Sequence, residues 1–105
     1  MDVPAMFDLS SKVALVSGAS RGIGAETAEI LAEFGAHVIL TSRKAENLEA
    51  VQAHIKNAGN QASSMVCHNG DLAQIELLFE KIHEKHGRLD ILVNNAEQIH
   101  FTVQS

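Results

Sequence analysis

Four short apolar runs punctuate the chain: Val13 to Val16, Ala36 to Leu40, Ser64 to Cys67 and Leu89 to Val93. Each is too short for a helix and is separated from the next by a longer segment, so all four read as buried parallel strands. Between the first two, Ile23, Thr27, Ile30, Leu31 and Phe34 fall at helical spacing, and Gly35 follows where a left-handed terminating residue is wanted. Leu48, Val51 and Ile55 form the stripe of a second helix, closed by Asn57, Ala58 and Gly59. A third runs from a cap at Asp71 through Ile75, Leu78, Phe79 and Ile82 to Gly87.

Strands that alternate with helices need right-handed crossovers, which place a parallel sheet between two helix layers. The expected fold is α/β, the mononucleotide-binding half of a three-layer, doubly wound Rossmann-type sheet, with strand order 3-2-1-4. At 105 residues, one such domain fills the chain. The segment 97–105 alternates Ile99, Phe101 and Val103 with His100, Thr102 and Gln104, which suits an edge strand or a disordered end; the disordered end is the expectation.

Composition narrows the function. With 46% hydrophobic and 20% charged residues the chain is globular, and no apolar run approaches the roughly 20 residues of a membrane helix. A net charge of -5 offers no basic surface for nucleic acid, so any phosphate must be captured locally. The single cysteine, Cys67, excludes an internal disulfide, and the start MDVPAMFDLSSK has neither a basic leader nor a signal-length apolar stretch, so the cytoplasm is expected.

Candidate chemistry begins directly after the first strand, where Ser17-Gly18-Ala19-Ser20-Arg21-Gly22-Ile23-Gly24 leads without a break into the first helix. Such a turn aims unpaired backbone N–H groups, and the positive end of the helix dipole, at an anion. Gly18 permits the sharp turn, Gly22 the approach of a pyrophosphate, and Gly24 close packing of helix on sheet. The spacing Gly-x-x-x-Gly-x-Gly differs from the usual dinucleotide fingerprint, Gly-x-Gly-x-x-Gly. It resembles the TGxxxGxG turn of the short-chain dehydrogenase/reductase family, with Ser17 in the threonine position, and Asn94-Asn95-Ala96 after the fourth strand is similar to that family's Asn-Asn-Ala-Gly. The resemblance covers roughly residues 8 to 96.

The resemblance implies a dinucleotide cofactor held by Ser17, Gly18, Ser20, Arg21, Gly22, Ile23, Gly24, Ser42, Arg43, His68, Asn94 and Ala96. The end of the second strand bears on which one. An acid about 20 positions past the turn would bind the ribose hydroxyls of NAD, but this chain has Thr41-Ser42-Arg43-Lys44. The Arg43 guanidinium suits a 2′-phosphate, and a cation opposes the dipole at a helix start, so Arg43 and Lys44 are read as functional. In the family, an arginine here with a basic residue such as Arg21 in the turn goes with NADP(H) over NAD(H).

Two departures stand out. Where the family has Asp-Val or Asp-Leu against the adenine, this chain has His68-Asn69, similar to a branch with carbonyl and retinal reductases, so His68 is the expected adenine neighbour. Where the family has glycine after Asn-Asn-Ala, this chain has Glu97. The family's catalysis implies a Tyr-x-x-x-Lys pair, and the 105 residues contain no tyrosine. No catalytic residue is therefore assigned, and the chain is expected to be the truncated, cofactor-binding portion of an oxidoreductase; the alternative is a non-catalytic protein that binds nucleotide or associates with itself or a full-length relative through an open sheet edge.

Three further groups get ordinary readings. Glu80, His83, Glu84 and His86 are taken as a solvated helix face rather than a metal site, Cys67 as a small core residue, and Lys12 and Asp90 as water-facing strand starts.

Overall fold

The computed structural model describes residues 8–68 and 70–95. Their elements run β1 (Val13–Ser17), α1 (Gly22–Glu33), β2 (His37–Ser42), α2 (Leu48–Asn57), β3 (Gln61–Val66), α3 (Leu72–His86) and β4 (Ile91–Asn94). The strands form one sheet, every pairing parallel, in the order β3-β2-β1-β4. This is the expected Rossmann-type half-sheet. The chain moves outward from β1 to β3 and then returns to the other side of β1, so its topological switch point lies between β1 and β4.

Side-chain alternation divides the core in two. Ala14, Val16, Val38, Leu40 and Ala62 face α1 and α2, while Val13, Leu15 and Ile39 face Cys67 and α3. The strands differ from the apolar runs at their ends: β3 begins at Gln61, and Leu89 precedes β4. Backbone pairing with β2 recruits polar residues that apolarity alone misses.

Two of the expected helix stripes hold in their main residues. Leu48 and Ile55 of α2 and Leu78 and Ile82 of α3 are buried, although Phe79 is exposed. Asp71 caps α3, accepting from the N–H groups of Ala73 and Gln74, and Gly87 ends it at φ 73°. The stripe of α1 is different. Ile23 and Ile30 are 73% and 52% exposed, and the buried face is Gly24, Ala25, Ala28 and Ala32. Small residues let α1 lie close on β1 and β2, and large side chains are displaced to its flanks.

Asp90 is exposed, as expected, but it also makes specific hydrogen bonds. Its Oδ2 accepts the Val13 N–H at 2.8 Å, its own N–H donates to the Val13 carbonyl at 2.9 Å, and Arg88 grips the carboxylate through Nε and Nη2 at 2.9 and 2.8 Å. Arg88 and the Val13 N–H hold this carboxyl below its ordinary range. The first residue of β1 is thereby fastened to the residue before β4. No helix among the described residues is long and apolar enough to cross a membrane.

Candidate functional site

In a parallel sheet the strand ends gather at one edge. The register aligns Ser17 with Thr41 on one side and with Asn94 on the other, and Ser42 with Val66. The Gly-rich turn therefore leaves β1 flanked by the ends of β2 and β4, in the crevice where open α/β sheets bind ligands.

The turn is built from backbone. Gly18 and Gly22 take φ of 64° and 61°, the left-handed region that a side chain would penalise. The Ala19 N–H donates to the Thr41 carbonyl at 3.0 Å, and the Ser42 hydroxyl donates to Ser20 Oγ at 3.4 Å, which fastens the turn to β2. No side chain caps α1 at Arg21, and its first turn holds no acid. The first N–H groups of α1 thus have no side-chain acceptor supplied at the cap. Nothing lies within 4 Å of where a Gly22 Cβ would stand, whereas a Gly24 Cβ would fall on the Gly18 carbonyl oxygen and 2.8 Å from Asn95 Nδ2.

Ser17 joins the two sides. Its buried hydroxyl donates to Asn94 Oδ1 at 2.9 Å and accepts the Asn95 N–H at 3.0 Å. His68 lies exposed after β3; its N–H donates to Gln74 Oε1 at 2.8 Å, and its Nδ1 accepts from the Gly70 N–H at 3.1 Å. Arg21 and Arg43 are exposed at the same sheet edge. The structure therefore brings Ser17 to Gly24, Ser42, Arg43 and Asn94 to the crevice, while Ala96 and residues 97–105 lie outside the described residues. Two contributors are additional. Asn95 meets both Ser17 and Gly24, and its place in the Asn94-Asn95-Ala96 motif is its sequence signal; Thr41 contributes only a backbone carbonyl, which carries none.

The other titratable candidates lie apart. Cys67 is 3% exposed in the core beneath α3, and burial first, then Asp71, pushes its thiol up. Among the described residues, no three His, Cys, Asp or Glu side chains converge as a metal ion requires.

The model of the short chain dehydrogenase family matches residues 12–104, nearly the whole chain. The chain belongs to the short-chain dehydrogenase family. The match runs past Ala96, where the motif resemblance stops. A fatty acyl-CoA reductase of Acinetobacter baylyi is 43% identical over 89 residues, which span 85% of this chain and 30% of that protein. Dehydrogenase/reductase SDR family member 4 of Mus musculus is 42% identical over 88 residues, spanning 84% of this chain and 32% of the relative. A metagenomic short-chain oxidoreductase solved in complex with NADP superposes with a TM-score of 0.81 at 46% identity, over 83% of this chain and 39% of that one. A short-chain type dehydrogenase/reductase from Mycobacterium marinum superposes with a TM-score of 0.86 at 35% identity, over all of this chain and 42% of that one. The chain thus corresponds to an N-terminal portion of the family's fold and spans about a third of the curated relatives it matches.

Proposed function

We propose that these residues form the NADP(H)-binding portion of a short-chain dehydrogenase/reductase, with NADP(H) preferred over NAD(H), and that they transfer no hydride by themselves. The observation that carries the reading is the uncapped start of α1, reached through two positive-φ glycines at the switch point of the sheet. A dinucleotide fits it: space is open at Gly22, and the N–H groups of Gly22, Ile23 and Gly24 suit a pyrophosphate. When bound, the cofactor supplies the hydride, and the protein supplies position.

The preference for the 2′-phosphate rests on Ser20, Arg21, Ser42 and Arg43, with no acid between Thr41 and Lys44, and a relative bound to NADP supports it. Asn94 and Ala96 serve the nicotinamide side, and His68 the adenine side. Ser17 acts as a positioning residue, since its hydroxyl is engaged by Asn94 and Asn95. The chain's single thiol, the buried Cys67, suits the cytoplasm.

Calorimetric titration with NADPH and NADH tests this. NADPH is expected to bind, NADH to bind weakly, and Arg43→Ala to weaken NADPH by roughly tenfold or more. A folded monomer that binds neither overturns the reading.

The β4 edge supports a second role. Leu92 is 58% exposed on the α3 side of β4, and β4 pairs only with β1 among the described residues. This chain associates through that edge with itself or a longer relative. Elution from a size-exclusion column as an unchanged monomer, alone and mixed with the relative, would count against it.

A further inference from the structure

A groove of about 190 Å³ lies on the α3 face of the sheet, between the C-terminal half of α3 and the strands β2 and β3. Its lining includes Ile39, Ser63, Met65 and Ile82 as an apolar floor with one hydroxyl, and Lys81, Lys85 and His86 as a cationic rim. His37 abuts it, with its ring centroid 4.5 Å from that of His86 and its Nε2 3.2 Å from Ser63 Oγ.

The charge here is one-sided. No Asp or Glu lines the groove, and neither lysine forms a salt bridge among the described residues, although the whole chain carries -5. The groups around His37 are His86 and Lys85 from α3, Lys56 from α2, and Gln61 and Ser63 from β3. Burial first, then the positive charge of His86, Lys85 and Lys56, holds its imidazole below the ordinary histidine range, against the bond with Gln61. The dipole of α3 accounts for cations in its last turn, but Lys81 stands more than a turn before the end, beyond that reach. An anion satisfies the cluster, and the apolar floor favours one with an apolar body over a fully hydrated ion.

We propose that this groove binds a small carboxylate with an apolar body, its charged end held by Lys81, Lys85 and His86 and its body seated on Ile39, Met65 and Ile82. The site uses none of the residues of the cofactor crevice and stands whether or not the dinucleotide binds.

Nuclear magnetic resonance of the histidine rings in the full chain, titrated with sodium butyrate and separately with inorganic phosphate at constant ionic strength, tests it. Butyrate is expected to move the His37 and His86 signals saturably, with a dissociation constant of about 1 mM. It is also expected to raise the His37 titration midpoint, because a bound anion favours the imidazolium. Lys81→Gln combined with Lys85→Gln should weaken butyrate at least about tenfold. Both lysines are solvent-exposed, and each single variant is read alongside the pair. Shifts that never saturate, a phosphate response as strong as that of butyrate, or unchanged affinity in the variants would overturn the proposal.

Discussion

The hydroxyl of Ser17, at the end of β1, donates to Oδ1 of Asn94, at the end of β4, across 2.9 Å. The same oxygen accepts the Asn95 N–H at 3.0 Å, so one buried side chain joins the Gly-rich turn to the far wall of the crevice. Ser17→Ala should cost about 1 to 2 kcal/mol, because it leaves the Asn95 N–H without this acceptor. Urea unfolding checks this: the midpoint should fall with an unchanged slope. Ser17→Thr, which keeps a hydroxyl, should recover most of the loss.

Gly22→Ala and Gly24→Ala should fail for different reasons. At Gly22 the space is open and the φ of 61° is the obstacle, so alanine should cost about 1 to 2 kcal/mol. At Gly24 a methyl group would strike the Gly18 carbonyl and crowd Asn95 Nδ2, for an expected loss of about 1 to 3 kcal/mol. Amide chemical shifts separate the two: Gly24→Ala should move Asn95, and Gly22→Ala should leave it in place.

Stability should fall in acid in two steps. His37 is held below its ordinary value of 6.5, chiefly by burial, so the unfolded chain takes its proton more readily. Its contribution is present above pH 6.5 and is lost as pH falls through the lower folded value; His37→Gln should remove that slope. Asp90 is held below 3.8, chiefly by Arg88, so its contribution is present above 3.8 and is lost as pH falls through its lower folded value. Denaturant midpoints for the wild type, His37→Gln and Asp90→Asn across this range check both.

Cys67 should react slowly with a thiol reagent in the native state, because it is buried and its thiol is held up. Denaturant should release a fast reaction at the same midpoint as the loss of helical circular dichroism. Fast labelling under native conditions would place Cys67 outside the core.

The purified chain, given NADPH and a carbonyl compound, should oxidise no more NADPH than a protein-free control. The family resemblance implies a tyrosine as proton donor, and none of the 105 residues is one.

Much of this protein is written in its local sequence. Apolar runs alternating with amphipathic segments dictate α/β, and the handedness of crossovers leaves few sheets open to such a chain, among them the observed β3-β2-β1-β4. Gly18, Gly22 and Asp71 announce their turns and cap because backbone conformation and near-neighbour hydrogen bonds are local. Contact between distant segments is not. That Ala25, Ala28 and Ala32, rather than Ile23 and Ile30, form the buried face of α1 depends on how closely the sheet approaches. That Asp90 fastens Val13, and that Ser17 holds Asn94 and Asn95, depends on strands more than seventy residues apart becoming neighbours. The cationic groove arises in the same way, from His37, Ser63 and Lys85, which are brought together only when α3 returns across the sheet. Periodicity and turn chemistry selected the elements, and the tertiary fold alone decided which side chains meet, because burial and hydrogen bonding act through space.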